Sequence, residues 1–229
     1  DCQKLLRTTN AHLAEARSRP RVPYEIVFTI GGWTGGSPIN FVETYDVRAD
    51  SWFVVNTNIT PRAYHGLCTL NNLIYMIGGY DGQQHFNTVC CFDPVLKKWS
   101  NRACMFHARC YVSVCTYDGK IYALGGFNGR ERMSSVERYN PDENQWEIIT
   151  PMQRRRSDAS AAVLKDKIYV VGGYDGVEIF ESAESFDTVT NQWSYIKSMI
   201  HPRAGVSLIT YRNNLYAIGG FNGYVRLTS

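Results

Sequence analysis

The chain has 229 residues, 44% of them apolar and 20% charged, enough for a packed core and compatible with one large all-β domain or two small ones. A net charge of +3 is too small to point to nucleic acid or an acidic membrane surface, and there is no run of about 18 apolar residues to span a bilayer. The seven cysteines contain no Cys-x-x-Cys pair and no matching histidine spacing, so they suggest neither a zinc site nor a disulfide framework and read as reduced, mostly buried cytoplasmic thiols.

In chain order, residues 1–16 place Leu5, Leu6, Leu13 and Ala16 among polar residues without glycine or proline, which predicts the end of a helix. Residues 17–23, basic and interrupted by Pro20 and Pro23, read as a linker. A helix and linker, in a chain that opens on Asp1 rather than Met, lead to the expectation of a further domain upstream.

Residues 24–229 follow one repeating plan. Double glycines stand at Gly31-Gly32, Gly78-Gly79, Gly125-Gly126, Gly172-Gly173 and Gly219-Gly220, each 47 residues after the last. Trp52, Trp99, Trp146 and Trp193 keep the same step, as do Arg62, Arg109, Arg156 and Arg203. In the second unit, Tyr64–Leu70 predicts a first strand and Asn71-Asn72 a turn. Leu73–Ile77 is a continuous apolar run, as in a strand buried on both faces. A polar loop follows from Tyr80, then a third strand over Asn87–Asp93, a turn over Pro94–Lys97, and an outer strand opened by Trp99. Ser135–Asn140 before Trp146, and Glu184–Asp187 before Trp193, repeat the plan.

Four short strands per unit make a twisted blade, and this period points to an all-β, kelch-type β-propeller. The glycines would let backbones crowd where a Cβ would collide. The tryptophans, and the tyrosine three residues before most glycine pairs, would fill the space between blades. The first unit lacks a strand like Tyr64–Leu70 and the fifth stops before its third strand, so five units with incomplete ends predict a fragment of a ring closed by strands from both termini. A WD-type propeller is disfavoured because its units are shorter and no Trp-Asp dipeptide occurs.

Gly-Gly, then Tyr45-Asp46, Phe92-Asp93, Tyr139-Asn140 or Phe186-Asp187, then Trp, resembles the kelch domain of the kelch-like (BTB–BACK–kelch) proteins over residues 24–223. The resemblance implies a six-bladed ring, and it matches residues 1–16 to the last helix of a BACK domain. It also implies a non-catalytic role: the propeller would be the substrate-recognition part of a cullin-3 ubiquitin ligase adaptor, with cullin-3 bound by a BTB domain absent from this chain. Cys90 departs from the pattern, standing where Glu43, Glu137 and Glu184 stand in other units.

In related kelch domains the partner sits on two sets of loops, one joining consecutive blades and one following the double glycine. Here the first set carries Tyr64, Arg109, Tyr111, Arg154, Arg155, Arg156, Asp158 and Arg203, and the second His85, Arg130, Arg132, Glu178 and Phe180. A ring of guanidiniums suits an acidic peptide, because each can hold a carboxylate through two parallel hydrogen bonds. Arg62, Arg109, Arg156 and Arg203 repeat in register, so they can equally serve the blade. Tyr64, Tyr111 and Arg155 lead as interface anchors.

Two other functions stay open. Actin-binding proteins also use kelch repeats, so a cytoskeletal scaffold fits the same pattern. Some copper oxidases use similar propellers, and His65, His107 and His201 fall in loops on one side. No GxGxxG, P-loop or GxSxG element suggests a cofactor or another chemistry, and Arg154-Arg155-Arg156 lacks the broad basic face that nucleic-acid binding needs.

Overall fold

The computed structural model describes residues 26–55 and 59–228; the expected helix over 1–16 and linker over 17–23 lie outside them. The described residues contain strands and turns and no helix. The first unit forms β1 (Ile26–Ile30), a short hairpin of β2 (Trp33–Thr34) and β3 (Ser37–Pro38), then β4 (Val42–Asp46) and β5 (Ser51–Val55). The second gives β6 (Gly66–Leu70), β7 (Leu73–Ile77), β8 (Val89–Asp93) and β9 (Lys98–Arg102). The third gives β10 (Ser113–Tyr117), β11 (Lys120–Leu124), β12 (Val136–Asn140) and β13 (Gln145–Ile149). The fourth gives β14 (Ser160–Leu164), β15 (Lys167–Val171), β16 (Ala183–Asp187) and β17 (Gln192–Ile196), and the fifth β18 (Ser207–Tyr211) and β19 (Asn214–Ile218). Units two to four are complete four-stranded antiparallel meanders, while the first sheet is β1-β4-β5 and the fifth β18-β19.

Local chemistry fixes each strand's ends. Asn71 and Asn72, at φ 52 and 61, make the tight two-residue turn that pairs Leu70 with Leu73. Asp46, Asp93 and Asp187 each close the turn after the third strand by accepting the N–H groups two and three residues on, as at Val95 and Leu96 (2.8 and 3.0 Å). In the second unit two strands start later than expected. Tyr64 has a left-handed φ of 59, so β6 begins at Gly66. Asn87 turns its side-chain amide to the Met105 carbonyl (3.0 Å), and β8 begins at Val89.

The repeated aromatic residues hold the sheets together. Tyr45–Trp52, Phe92–Trp99, Tyr139–Trp146 and Phe186–Trp193 are direct cross-strand pairs with ring centroids 5.0–5.2 Å apart. Trp146 also donates its indole N–H to Ala103 O of the preceding unit, and Trp193 to Thr150 O, both at 2.9 Å. Tyr75 packs with Tyr139 and Trp146 across the gap between the second and third sheets. Trp52, with no sheet to close against among the described residues, is 56% exposed.

Successive sheets meet through their first strands β6, β10, β14 and β18, an arrangement that sets the blades side by side around an axis. At each junction the double glycine is needed. Gly78 has φ 66, and a Cβ there would collide with the Arg109 carbonyl of the next blade. The neighbouring Gly79 N–H donates to that same carbonyl (2.7 Å), as Gly126 and Gly173 do to Arg156 O and Arg203 O.

Candidate functional site

The two expected loop sets are joined on one face by pairs of backbone hydrogen bonds. Ala63 pairs with Tyr80, Cys110 with Phe127, Ser157 with Tyr174 and Ala204 with Phe221. The inter-blade loops are also linked to one another, since Tyr111 N donates to Tyr64 O (2.7 Å), Asp158 N to Tyr111 O (3.1 Å) and Gly205 N to Asp158 O (2.8 Å). All four residues are left-handed, with φ of 59, 52, 57 and 64. That conformation suits Gly205 and strains the other three by about 1–2 kcal/mol each, and the hydrogen bonds hold all four on one fixed backbone rail. The second loop set is equally rigid. Asp81, Asn128, Asp175 and Asn222 each accept the N–H groups two and three residues ahead at 2.8–2.9 Å.

Several sequence candidates turn out to be structural. Arg109, Arg156 and Arg203 are 0%, 1% and 8% exposed, which corrects the expectation that they offer guanidiniums to a partner. Arg109 donates to Gly125 O (2.6 Å), Ser135 O (2.9 Å) and Glu137 Oε1 (2.9 Å), and Arg156 repeats this with Gly172, Ser182 and Glu184. Arg203 reaches Gly219 O at 2.6 Å. Burial lowers the pKa of Arg109 and Arg156, and the facing glutamate opposes it in each case. Phe180 is likewise corrected: it is 2% exposed and lies beneath the guanidinium of Arg154, 4.2 Å from its ring centre.

The remaining candidates gather at the surface. Tyr64 stacks on Trp33 (5.9 Å) and Tyr111 (4.3 Å). Burial, then Tyr64 beside it, pushes the Tyr111 phenol up, so it stays protonated. His85 sits between Tyr80 (4.7 Å) and Phe127 (5.4 Å), and burial lowers its pKa against the opposing pull of Asp81. The Arg132 guanidinium lies 4.7 Å from both Phe127 and Tyr174, and its Nε donates to Ser157 Oγ. Together Trp33, Tyr80, His85, Phe127, Arg132 and Tyr174 form an interleaved arc across four blades, with Trp33 and Tyr80 stacked nearly parallel. Asp158, half-buried, accepts from Ser157 Oγ (2.8 Å), and burial raises its pKa.

Outside the arc, Arg155 pairs with Glu131 (2.8 Å) and Arg154 with Glu178 (2.7 Å), all at the surface, and Arg130 is exposed. Arg155, Arg132, Glu131 and His107 line a cleft of about 200 Å³. His107 Nδ1 lies 3.0 Å from Glu137 Oε1, His65 is largely enclosed, and His201 is exposed. No three His, Cys, Asp or Glu side chains converge as a metal site among the described residues. No helix among them is long and apolar enough to cross a membrane.

Sequence reasoning passed over Trp33, Tyr80, Phe127 and Tyr174. Their signal is present: the residue after every double glycine is aromatic, Phe221 included.

The comparisons with known proteins agree with this architecture. A family model described as "Kelch motif" matches residues 61–106, 108–153 and 155–200. A solved structure titled "Structure of YjhT" shares the fold at a TM-score of 0.80, with 16% identity over 90% of this chain and 77% of that one.

Proposed function

The chain belongs to the Kelch-motif family, and from that premise we propose that its propeller is the target-recognition part of a cullin-3 ubiquitin ligase adaptor. Kelch repeats build β-propeller protein-interaction domains. The observation that supports a recognition role here is the aromatic stack of Trp33, Tyr64 and Tyr111, the last two on a hydrogen-bonded backbone, with the exposed Arg155 and Arg130 on neighbouring loops. Rigid aromatics and arginines give contact area at little entropic cost, and they are the usual anchors of protein interfaces. The exposed guanidiniums of Arg130 and of Arg155, the second shared with Glu131, favour a partner segment carrying carboxylates.

The adaptor assignment rests on resemblance to the kelch-like (BTB–BACK–kelch) proteins in the spacing of the double glycine, Tyr/Phe–Asp/Asn and Trp. In this reading the protein is cytoplasmic, has no catalytic residue of its own, and engages cullin-3 through an upstream BTB domain. An actin-binding scaffold would use the same face.

Immunoprecipitation of the full-length natural protein, probed for cullin-3 and actin, separates the two. Recovery of cullin-3 is the expected result. Actin without cullin-3 would replace the adaptor by a scaffold.

A further inference from the structure

One blade lacks the counter-charge that two others build in. Glu137 and Glu184 are fully buried, neutralise Arg109 and Arg156, and each accept two backbone N–H groups from the preceding inter-blade loop. In the second blade the equivalent pair is Arg62 and Cys90. Arg62 is 4% exposed, donates to Gly78 O (2.9 Å) and Thr88 Oγ1 (3.2 Å), and lies 4.3 Å from the Phe86 ring centre. No carboxylate forms an ion pair with it among the described residues, Asp81 acting on it only through its charge, and its Nε is buried without a partner. Arg109 Nε is also unpartnered, so the distinguishing feature is the missing anion.

Cys90 holds the strand position from which Glu137 reaches Arg109 one blade on, and burial raises its thiol pKa above the usual value, with Arg62 opposing that rise. The thiol is partly exposed, and its one hydrogen bond is a weak one to Asn101 Oδ1 at 3.7 Å. A thiol is too short and too weakly polar to replace a carboxylate, so the buried cation is left poorly compensated.

We propose that Cys90 is an oxidation site, converted by hydrogen peroxide to a sulfinate that takes the carboxylate's place beside Arg62. In the first step the thiolate sulfur attacks one peroxide oxygen; the S–O bond forms, the O–O bond breaks and hydroxide leaves, giving the sulfenic acid. A second peroxide repeats this on the deprotonated sulfenate, giving a sulfinate and water. Each step oxidises sulfur by two electrons and reduces one peroxide. The product carries one negative charge over two oxygens, as a carboxylate does, on a side chain whose reach lies between those of aspartate and glutamate. It would meet Arg62 two residues from Tyr64, so the modification tightens a loop of the recognition face.

The test is graded peroxide treatment of the full chain, with peptide mass mapping that resolves Cys90 from Cys91, followed by thermal unfolding. The expected result is two added oxygens on Cys90 and a rise in Tm of several degrees, absent from a Cys90→Ser protein. Cys90→Glu, which restores the carboxylate, is expected to raise Tm without peroxide. Three results would overturn the proposal. Cys90 could stay reduced while the exposed Cys104 takes up oxygen, it could join Cys104 in a disulfide, or it could be oxidised with a fall in Tm.

Discussion

Replacing Glu137 by leucine probes the buried ion pair that repeats from blade to blade. Glu137 is fully buried and holds Arg109 Nη2 (2.9 Å), Phe106 N (2.7 Å) and His107 N (3.1 Å). The substitution leaves a buried guanidinium without its anion and two loop N–H groups without an acceptor. Breaking a buried pair from one side costs about 3–5 kcal/mol, which in a domain of this size lowers Tm by roughly 6–20 °C. The double variant Arg109→Met/Glu137→Leu removes both charges and is expected to be more stable than Glu137→Leu alone, although it gives up the bonds to Gly125 and Ser135. Urea unfolding followed by tryptophan fluorescence measures both. A Glu137→Leu cost below about 1 kcal/mol, or a double variant less stable than the single, would refute the view that charge compensation organises this site.

Burial, then Arg62, lowers the His65 pKa from 6.5 to about 4, against the pull of a hydrogen bond with Ile30. The unfolded chain therefore binds this proton more readily, so the stability contributed by keeping His65 neutral is full above pH 6.5 and lost as pH falls towards 4, about 3 kcal/mol in all. His65→Gln is expected to flatten that part of the stability–pH curve; superimposable curves would count against it. Gly125→Ala would press a Cβ into the Arg156 carbonyl, whereas Gly119→Ala at a similar positive φ meets open space. Denaturant titration is expected to show about 1 kcal/mol for Gly119→Ala and at least twice that for Gly125→Ala. Arg155→Ala loses a surface pair that contributes little to stability, so its expected effect is on partner affinity, about 1–3 kcal/mol by calorimetry, with Tm unchanged.

The fold was legible because its determinants recur. The positive-φ glycines, the Trp pairs and the Asx-closed turns are dictated by local geometry repeated at one period, so a single sequence displays each several times. The site was legible in part. The two loop sets do meet on one face, but Arg109, Arg156 and Arg203 turned inward, because a residue that repeats in register serves the blade before any ligand, and Phe180, with Met133 at its position one unit earlier, lies buried beneath Arg154. The opposite error occurred after the double glycine, where Trp33, Tyr80, Phe127 and Tyr174 also repeat yet form the partly exposed arc. Periodicity marks a shared backbone position; whether its side chain faces core or solvent depends on neighbouring blades, which one unit's sequence does not display. Tyr64, Tyr111 and Asp158 lacked a visible pattern because what repeats there is a left-handed φ and an inter-blade hydrogen bond.

Recognition through the aromatic rail is tested most directly by comparing proteins that co-purify with the full-length protein and with its Trp33→Ala/Tyr111→Asn/Arg155→Ala form. Asn tolerates the left-handed backbone at position 111, so the variant is expected to keep its thermal stability. The account predicts that at least one abundant partner falls by about tenfold or more while cullin-3, which the proposed adaptor would engage through an upstream BTB domain, is retained. An unchanged set of partners on an equally stable variant would contradict it.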